Sequence, residues 1–256
     1  MKVTVIGAGN MGGAIIRGLI ANGPVAAGDI TAVAVHDTTL NAIRELGAHA
    51  TTNATAAVQN ADVVILAVKP WLTEGVARQI ASAIPQHTLI GSVAAGITLN
   101  DLGTWLGNDR YLFRIMPNTA VTVSAGMTFI TSRNATPEQI QSMTSLFESL
   151  GMVMEIPEKQ FDGGMALASC GIAYALRYVR AAMEGGIELG IPPRMAQTIL
   201  AQTLKGAAEI LLRTGNHPEI EIDKVTTPGG ITIRGLNAME ANGFTHAVIE
   251  GLKASK

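Results

Sequence analysis

The chain contains 256 residues, of which 48% are hydrophobic and 15% are charged, and its formal net charge at pH 7 is −2. This composition predicts a globular protein with a well-buried core, built as one large domain or two smaller ones. The slight negative charge offers no basic face, so nucleic acid is not an expected partner. With one cysteine, Cys170, and no cluster of metal-ligand spacing, we expect neither a disulfide framework nor a metal.

We also expect a cytoplasmic protein without a membrane partner. A single cysteine fits a reducing compartment, and Lys2 is followed by strand-forming residues and glycines rather than by the apolar segment of a signal peptide. No uncharged apolar run reaches the roughly 18 residues that a transmembrane helix needs.

The first residues predict a dinucleotide site. A strand over Val3 to Ile6 runs into Gly7, Gly9 and Gly12, and a helical pattern follows, which is the context that makes GxGxxG spacing informative. The glycines allow a tight turn, close approach to a pyrophosphate and close packing of the helix. The free amides of residues 10–12 would face the phosphates at the helix start. The alternative is an ordinary glycine-rich turn.

Asp37 follows a second apolar strand, predicted over Ile30 to Val35. An acidic residue at this distance from the glycines hydrogen-bonds the adenosine ribose, and its charge repels a 2′-phosphate. Asp37 therefore favours NADH over NADPH as the coenzyme. The alternative is an exposed Asp that caps a helix beginning near Leu40.

Two further strands end in segments suited to the same ligand. The apolar run Asp62 to Val68 has the character of a strand buried on both faces, and Lys69 after it is either a coenzyme contact or an exposed cation, with Pro70 opening a helix. The strand Thr88 to Val93 is followed by small residues that let the backbone pass close to a ring or ribose. The predicted contacts here are Ala67, Val68, Lys69, Pro70, Ala94, Ala95 and Gly96.

The first half closes with three more strands, predicted over Tyr111 to Ile115, Gly126 to Thr131 and Met152 to Ile156. A capping box at Thr136 starts the helix between the last two. We therefore expect an α/β fold, with a Rossmann-type doubly wound sheet of about eight strands over residues 1–157.

The second half, residues 158–256, reads as helical. The segments Met165 to Glu188 and Pro193 to about Thr214 are apolar or small over most of their circumference, with narrow polar stripes. A segment of this size cannot cover such faces by itself, so we expect an all-α dimerisation domain that interlocks with a second subunit. The alternative is an oversized core within one chain.

A loop near the end of the chain predicts an anion site. Thr227 is expected as N-cap and Pro228 as first helical residue, while Gly229 and Gly230 leave bare amides at the helix start. A carboxylate fits there, with the Thr227 and Thr232 hydroxyls nearby. The alternative is that Thr227 and Pro228 form a plain helix cap that binds no ligand.

Taken together, the sequence resembles the pyrroline-5-carboxylate reductases over essentially its whole length. Val225 to Ile233 is the most specific motif, and other dinucleotide reductases share the remaining ones in part. The motifs are Gly7 to Gly12, Ala67 to Pro70, Val93 to Gly96, Arg114 to Asn118, Gly171 with Ala173-Tyr174, and Val225 to Ile233.

The resemblance implies NAD(P)H-dependent reduction of Δ1-pyrroline-5-carboxylate to L-proline and a homodimer, assembled further in some members. It implies substrate carboxylate and ring-nitrogen contacts from residues 227–232, where we expect Thr232 to be the catalytic residue. The expected coenzyme contacts include Ile6, Gly7, Ala8, Gly9, Asn10, Met11, Gly12 and Asn53, and the expected substrate contacts are Met116, Pro117, Asn118, Thr227, Gly229, Gly230 and Thr232.

The chain departs from the family pattern at three places: Ala168 to Ile172, Ile231, and His36 to Thr39, where many members carry an Arg. Rival interpretations are another imine reductase, a non-catalytic dinucleotide sensor and a β-hydroxyacid dehydrogenase. The last enzyme needs a Lys four residues after a helix glycine, where this chain has Ala175 after Gly171.

Overall fold

The structure is a computed structural model that describes residues 1–255, and it divides into two compact units. The first unit is Met1–Ser169, and the second begins at Cys170. The boundary predicted at 157/158 lies before this division and stays a prediction.

The first unit is built on one sheet with the strand order β3-β2-β1-β4-β5-β6-β7-β8. All neighbouring strands are parallel except β6 and β7, which are antiparallel. The predicted doubly wound sheet of about eight strands is thereby confirmed. The strands are β1 (Val3–Ile6), β2 (Ile30–Val33), β3 (His49–Thr51), β4 (Val63–Leu66), β5 (Leu89–Ser92), β6 (Tyr111–Pro117), β7 (Gly126–Arg133) and β8 (Gly151–Glu155).

Helices cover both faces of the sheet because the central strands are apolar on both sides. Val63 and Ile65 of β4 pack in one core cluster, whereas Val64 and Leu66 pack in another. The first cluster contains residues of α1, α2 and α6, and the second contains residues of α3, α4 and α5. The helices are α1 (Asn10–Asn22), α2 (Asp37–Glu45), α3 (Ala54–Val58), α4 (Pro70–Ile80), α5 (Leu99–Leu106), α6 (Pro137–Glu148) and the short α7 (Phe161–Gly164).

The predicted long helix that starts at Met165 begins as a π-helix and not as an α-helix. Residues from Met165 onward are expected in one long α-helix, but Met165–Cys170 form a π-helix, and the α-helix begins only at Gly171. Single π turns inside helices are rare and concentrate at functional sites.

Residues 170–255 of the second unit form five helices that have almost no core of their own. Ala196 is the only residue of residues 170–255 among the buried hydrophobic side chains, and Leu189, Leu212 and Ile231 are 84%, 65% and 79% exposed. The helices are α8 (Gly171–Glu188), α9 (Pro193–Thr214), α10 (Pro218–Val225), α11 (Ile231–Ala241) and α12 (Phe244–Lys253). None of the helices within residues 1–255 is long and apolar enough to cross a membrane.

The predicted cap at the start of α11 is wrong. Pro228 is not helical: the Gly230 amide donates to the Thr227 carbonyl over 2.9 Å, and Gly229 has φ +72°. These are the features of a type II turn, which favours Pro at its second position and Gly at its third. The N-cap of α11 is Gly230, without a side-chain cap. The paired glycines therefore lie in the turn and not in the helix.

Candidate functional site

The predicted coenzyme loops come together at the carboxyl edge of the parallel strands. Ligands of open α/β sheets bind in the crevice outside this edge. Backbone hydrogen bonds tie the loops to neighbouring strands: the Gly7 amide donates to the Val33 carbonyl (2.8 Å), the Ala67 amide to the Ile6 carbonyl (2.8 Å), and the Val93 amide to the Leu66 carbonyl (3.0 Å).

The three glycines of the first turn serve different purposes. Gly7 has φ +100°, and a Cβ there would lie 2.7 Å from the Ala67 carbonyl carbon and oxygen. A Cβ at Gly12 would lie 2.0 Å from the Gly7 carbonyl oxygen, whereas a Cβ at Gly9 would meet nothing within 4 Å. The fold therefore requires glycine at 7 and 12, but nothing in the protein requires it at 9.

The start of α1 is free to receive an anion. Its N-cap, Gly9, makes no side-chain cap, and the first turn contains no acidic residue. Helix-start amides have no partner within the helix, so those of residues 10–12 are available together with the positive end of the helix dipole. These bare amides and the open space beside Gly9 fit the pyrophosphate of a dinucleotide.

Asp37 does not act as a helix cap. It is the first residue of α2, the N-cap is His36, and that cap makes no side-chain hydrogen bond. The Asp37 side chain is exposed after the end of β2, at the carboxyl edge. The alternative interpretation of Asp37 as an N-cap is therefore wrong.

Two other predicted coenzyme contacts lie at helix starts on the same edge. Asn53 caps α3, where its side-chain carbonyl accepts a hydrogen bond from the Ala56 amide over 3.0 Å. Lys69 is the N-cap of α4 through its backbone and has an exposed side chain, with Pro70 in the first turn. Within residues 1–255 its ammonium group forms no ion pair.

The loop between β5 and α5 carries the small residues predicted to pass close to the coenzyme. Ala94 is buried, while Ala95 and Gly96 are exposed, and Gly96 has φ +77°. The loop ends in a capping box in which Thr98 and Asp101 exchange hydrogen bonds. The Thr98 hydroxyl, with the Thr98 amide and the charge of Arg114, holds the pKa of Asp101 below its ordinary value.

Asn118, predicted to bind substrate, has a structural role in the described fold. Its side-chain carbonyl accepts from the Ala120 and Met127 amides over 3.1 and 3.3 Å. Its side-chain amide donates to the Ala168 carbonyl in the π-helix over 3.1 Å. Met116 is half-buried and Pro117 buried at the end of β6. Substrate contact from these three residues stays a prediction.

The Thr227–Thr232 loop, within the second unit, offers a changed set of donors. The Gly230 amide is expected to be free for a carboxylate, but it donates to the Thr227 carbonyl within the turn. The amides of residues 231–233 open α11 and have no side-chain cap, so they are free donors at this loop. Thr227 and Thr232 are both exposed, and a Cβ on Gly230 would lie 2.7 Å from the Thr227 hydroxyl oxygen.

Sequence patterns did not reveal two features near the predicted loops. Glu158 and Arg114 form an ion pair across 44 residues of sequence, and Trp71 is 76% exposed on the first turn of α4. A cavity of about 250 Å³ lies at the other edge of the sheet, where its lining includes Lys2, Thr31 and His49. None of the predicted site residues lines it. No group of three or more possible metal ligands occurs within residues 1–255.

The glycine geometry predicts that Gly9→Ala and Gly12→Ala fail for different reasons. Gly12→Ala pushes a methyl group into the Gly7 carbonyl and lowers the free energy of unfolding by several kcal/mol, as overpacking against backbone does. Gly9→Ala changes stability by less than about 1 kcal/mol but weakens NADH binding at least tenfold. Chemical denaturation and calorimetric titration measure the two effects.

A suitable control is Gly75→Ala, in the interior of α4, where a Cβ also meets nothing within 4 Å. We expect this variant to gain about 1 kcal/mol of helix stability and to bind NADH normally. Unchanged coenzyme affinity in Gly9→Ala would contradict the assignment of the pyrophosphate to this turn.

Comparison with known proteins gives matches over both units. Residues 158–256 match the family model described as pyrroline-5-carboxylate reductase dimerisation. Residues 2–96 match the model of NADP oxidoreductase, coenzyme F420-dependent.

Individual relatives match over nearly the whole chain. The pyrroline-5-carboxylate reductase of Escherichia coli K12 is 36% identical, over 98% of this chain and 94% of the relative. Pyrroline-5-carboxylate reductase 1 of Dictyostelium discoideum is 37% identical over 99% of this chain, which spans only 48% of that longer protein. The Coxiella burnetii pyrroline-5-carboxylate reductase structure superposes with a TM-score of 0.93 at 30% identity, covering 99% of this chain and 95% of that one.

Relatives at 30% identity or more thus match this chain over nearly its full length. The chain belongs to the pyrroline-5-carboxylate reductase family.

Proposed function

We propose that the chain reduces Δ1-pyrroline-5-carboxylate to L-proline with NAD(P)H. The observation that carries this proposal is the end-to-end similarity to reductases named for that substrate. The bare amides at the start of α1 support a dinucleotide, and the uncapped start of α11 supports a carboxylate.

The chemistry asks little of acid–base groups. When bound, NAD(P)H supplies a hydride that adds to the carbon of the substrate's C=N bond, the carbon that becomes C5 of proline. The protonated ring nitrogen already makes this imine carbon electrophilic, so the protein has to orient the ring toward the coenzyme. We propose that Thr232 hydrogen-bonds that nitrogen, while the Thr227 hydroxyl, the Gly229 amide and the amides of residues 231–233 hold the carboxylate.

The other candidate enzymes are less well supported. Oxidation of a β-hydroxyacid needs a base for the hydroxyl proton, and Ala175 occupies the position where that Lys would stand. Coupled oxidation of NADH or NADPH in the presence of pyrroline-5-carboxylate, with L-proline identified as product, tests the proposal. A coenzyme-binding protein without turnover would instead indicate a dinucleotide sensor.

We further propose that residues 158–256 form the dimer through interlocked helices and that the protein acts in the cytoplasm. Exposed apolar side chains line several helices of the second unit, and Ala196 alone is buried among residues 170–255. A helical segment with so little core cannot offset its own conformational entropy. In the proposed dimer, a second copy covers these exposed apolar side chains. We also propose that dimers can assemble into larger oligomers.

We predict that the dimer is obligate, because dissociation would expose these apolar faces to water. Sedimentation at micromolar concentration should give a dimer or a multiple of it. Dilution to the point of dissociation should unfold the helical segment, measured as loss of circular dichroism at 222 nm. A folded monomer at micromolar concentration would contradict the prediction.

Asp37 is proposed to set the coenzyme preference. Its exposed carboxylate has no capping role, so it is free to meet the adenosine ribose and to repel a 2′-phosphate. NADH should serve at least as well as NADPH, and Asp37→Ala should improve kcat/KM for NADPH relative to NADH. Residues 2–96 match a family model of NADP oxidoreductases, whereas Asp37 favours NADH, so comparing the two coenzymes decides between these indications.

The control for Asp37 is Asp29→Ala, which removes an exposed carboxylate near the start of β2, at the other edge of the sheet. This change should leave the ratio of the two coenzymes unaltered. A wild-type preference of tenfold or more for NADPH would show that a 2′-phosphate is accommodated beside Asp37.

Thr232→Ala should lower kcat/KM for pyrroline-5-carboxylate by roughly tenfold to a hundredfold, the scale of one or two lost hydrogen bonds to a charged group. Coenzyme affinity should not change, because the dinucleotide contacts proposed above lie in the first unit. Gly230→Ala would displace the Thr227 hydroxyl and should raise KM more than it lowers kcat.

The matched control is Thr226→Ala. The Thr226 hydroxyl already donates to the Asp223 carbonyl over 3.2 Å, so this variant removes a threonine from the same segment without removing a free hydroxyl. Its kcat/KM should stay within about twofold of wild type. Equal kinetics in Thr232→Ala and wild type would remove Thr232 from the mechanism.

A further inference from the structure

An ion pair close to the coenzyme edge has no part in the function proposed so far. Arg114 lies on β6 opposite Ser92, the last residue of β5, and its side chain is only 12% exposed. Nη1 of its guanidinium lies 3.3 Å from Oε1 of Glu158. The guanidinium carbon, Cζ, lies over the buried Phe161 ring, 4.5 Å from the ring centre. A planar cation held between a carboxylate and an aromatic face has little freedom to move.

The same carboxylate oxygen also binds backbone. Oε1 of Glu158 accepts a hydrogen bond from the Leu99 amide over 2.8 Å, and Leu99 is the first residue of α5. A charged acceptor at a helix-start amide makes a stronger bond than a neutral one and benefits from the helix dipole. Glu158 therefore anchors the start of α5, and Arg114 fixes the position of Glu158.

The start of α5 is also the end of the loop that carries Ala94, Ala95 and Gly96. Ser92 holds the entry to this loop, where its hydroxyl accepts from the Ala94 amide over 3.3 Å. At the exit, the Thr98 and Asp101 capping box and Glu158 hold the backbone. Between these points Gly96 is exposed and has open space around it. Hydrogen bonds thus hold the loop at both ends, and Glu158 contributes to those at the second end.

The sheet topology says which part of the coenzyme this loop would meet. In a doubly wound dinucleotide fold, β1 to β3 form the half that binds one mononucleotide and the strands from β4 onward form the other. The strand order β3-β2-β1-β4-β5 places the loop after β5 in the second half, whereas Asp37 after β2 serves the adenosine half.

We propose that Glu158 and Arg114 are positioning residues for the nicotinamide half of the coenzyme, acting through the backbone of residues 94–99. The pair sets the loop in its binding conformation before the ligand arrives, which lowers the entropy cost of binding. This inference rests on the proposed use of NAD(P)H but not on the identity of the imine substrate.

The test compares two ligands in wild type, Glu158→Ala and Glu158→Gln. Binding of NADH and of ADP-ribose, which lacks the nicotinamide, is measured by calorimetry without substrate. Glu158→Ala should weaken NADH binding about three- to tenfold and leave ADP-ribose binding unchanged. This is the effect of losing one charge-assisted hydrogen bond, reduced because Glu158 is partly exposed. Glu158→Gln keeps an oxygen acceptor for the Leu99 amide, so it should recover part of the NADH affinity.

Thr136→Ala is the control for a loss of stability alone. It removes an equivalent capping box at the start of α6, which follows the antiparallel β7 and so begins at the other edge of the sheet. This variant should lose stability but bind both ligands normally.

The two ligands separate failure of this inference from failure of the proposed function. Equal weakening of NADH and ADP-ribose, or no weakening of either, in Glu158→Ala would overturn the inference while the coenzyme role stands. A wild-type protein that binds neither ligand would refute the coenzyme role and the inference with it.

Discussion

The close contact between the first glycine turn and the segment after β4 is the constraint on which the proposed coenzyme site depends. The turn at Gly7 packs against the backbone of Ala67, and α1 at Gly12 packs against the Gly7 carbonyl. These contacts are backbone against backbone and hold the turn in place. The start of α1 has no side-chain cap, and a Cβ at Gly9 would meet nothing within 4 Å, so bare amides lie at the edge where the strands end.

The two units differ in how far they can stand alone. The sheet buries strand residues on both faces under α-helices and forms two core clusters. Among residues 170–255, only Ala196 is buried, so the helical unit has almost no core of its own. On the function and the dimer proposed above, a dinucleotide domain that is complete in one chain is joined to a helical segment that needs a second copy to cover it.

Local patterns predicted most of the sheet because buried parallel strands and glycine turns leave short, clear signatures. The same reasoning failed at Pro228, since a proline followed by glycine suits both a helix start and a type II turn. The roles of Asn118 and Glu158 were not visible either, because their partners at Ala168 and Leu99 lie 50 and 59 residues away. Asn118 belongs to a motif expected to bind substrate, and only its hydrogen-bond partners show that it also holds the local fold.

The most direct test of the account is the fate of the transferred hydrogen. NADH carrying deuterium at both positions of C4 is mixed with pyrroline-5-carboxylate and the dimeric protein, and the product is analysed by mass spectrometry and NMR. Direct hydride addition to the C=N bond predicts L-proline with one deuterium at C5. Unlabelled proline, label at another carbon, or coenzyme binding without any proline would contradict it.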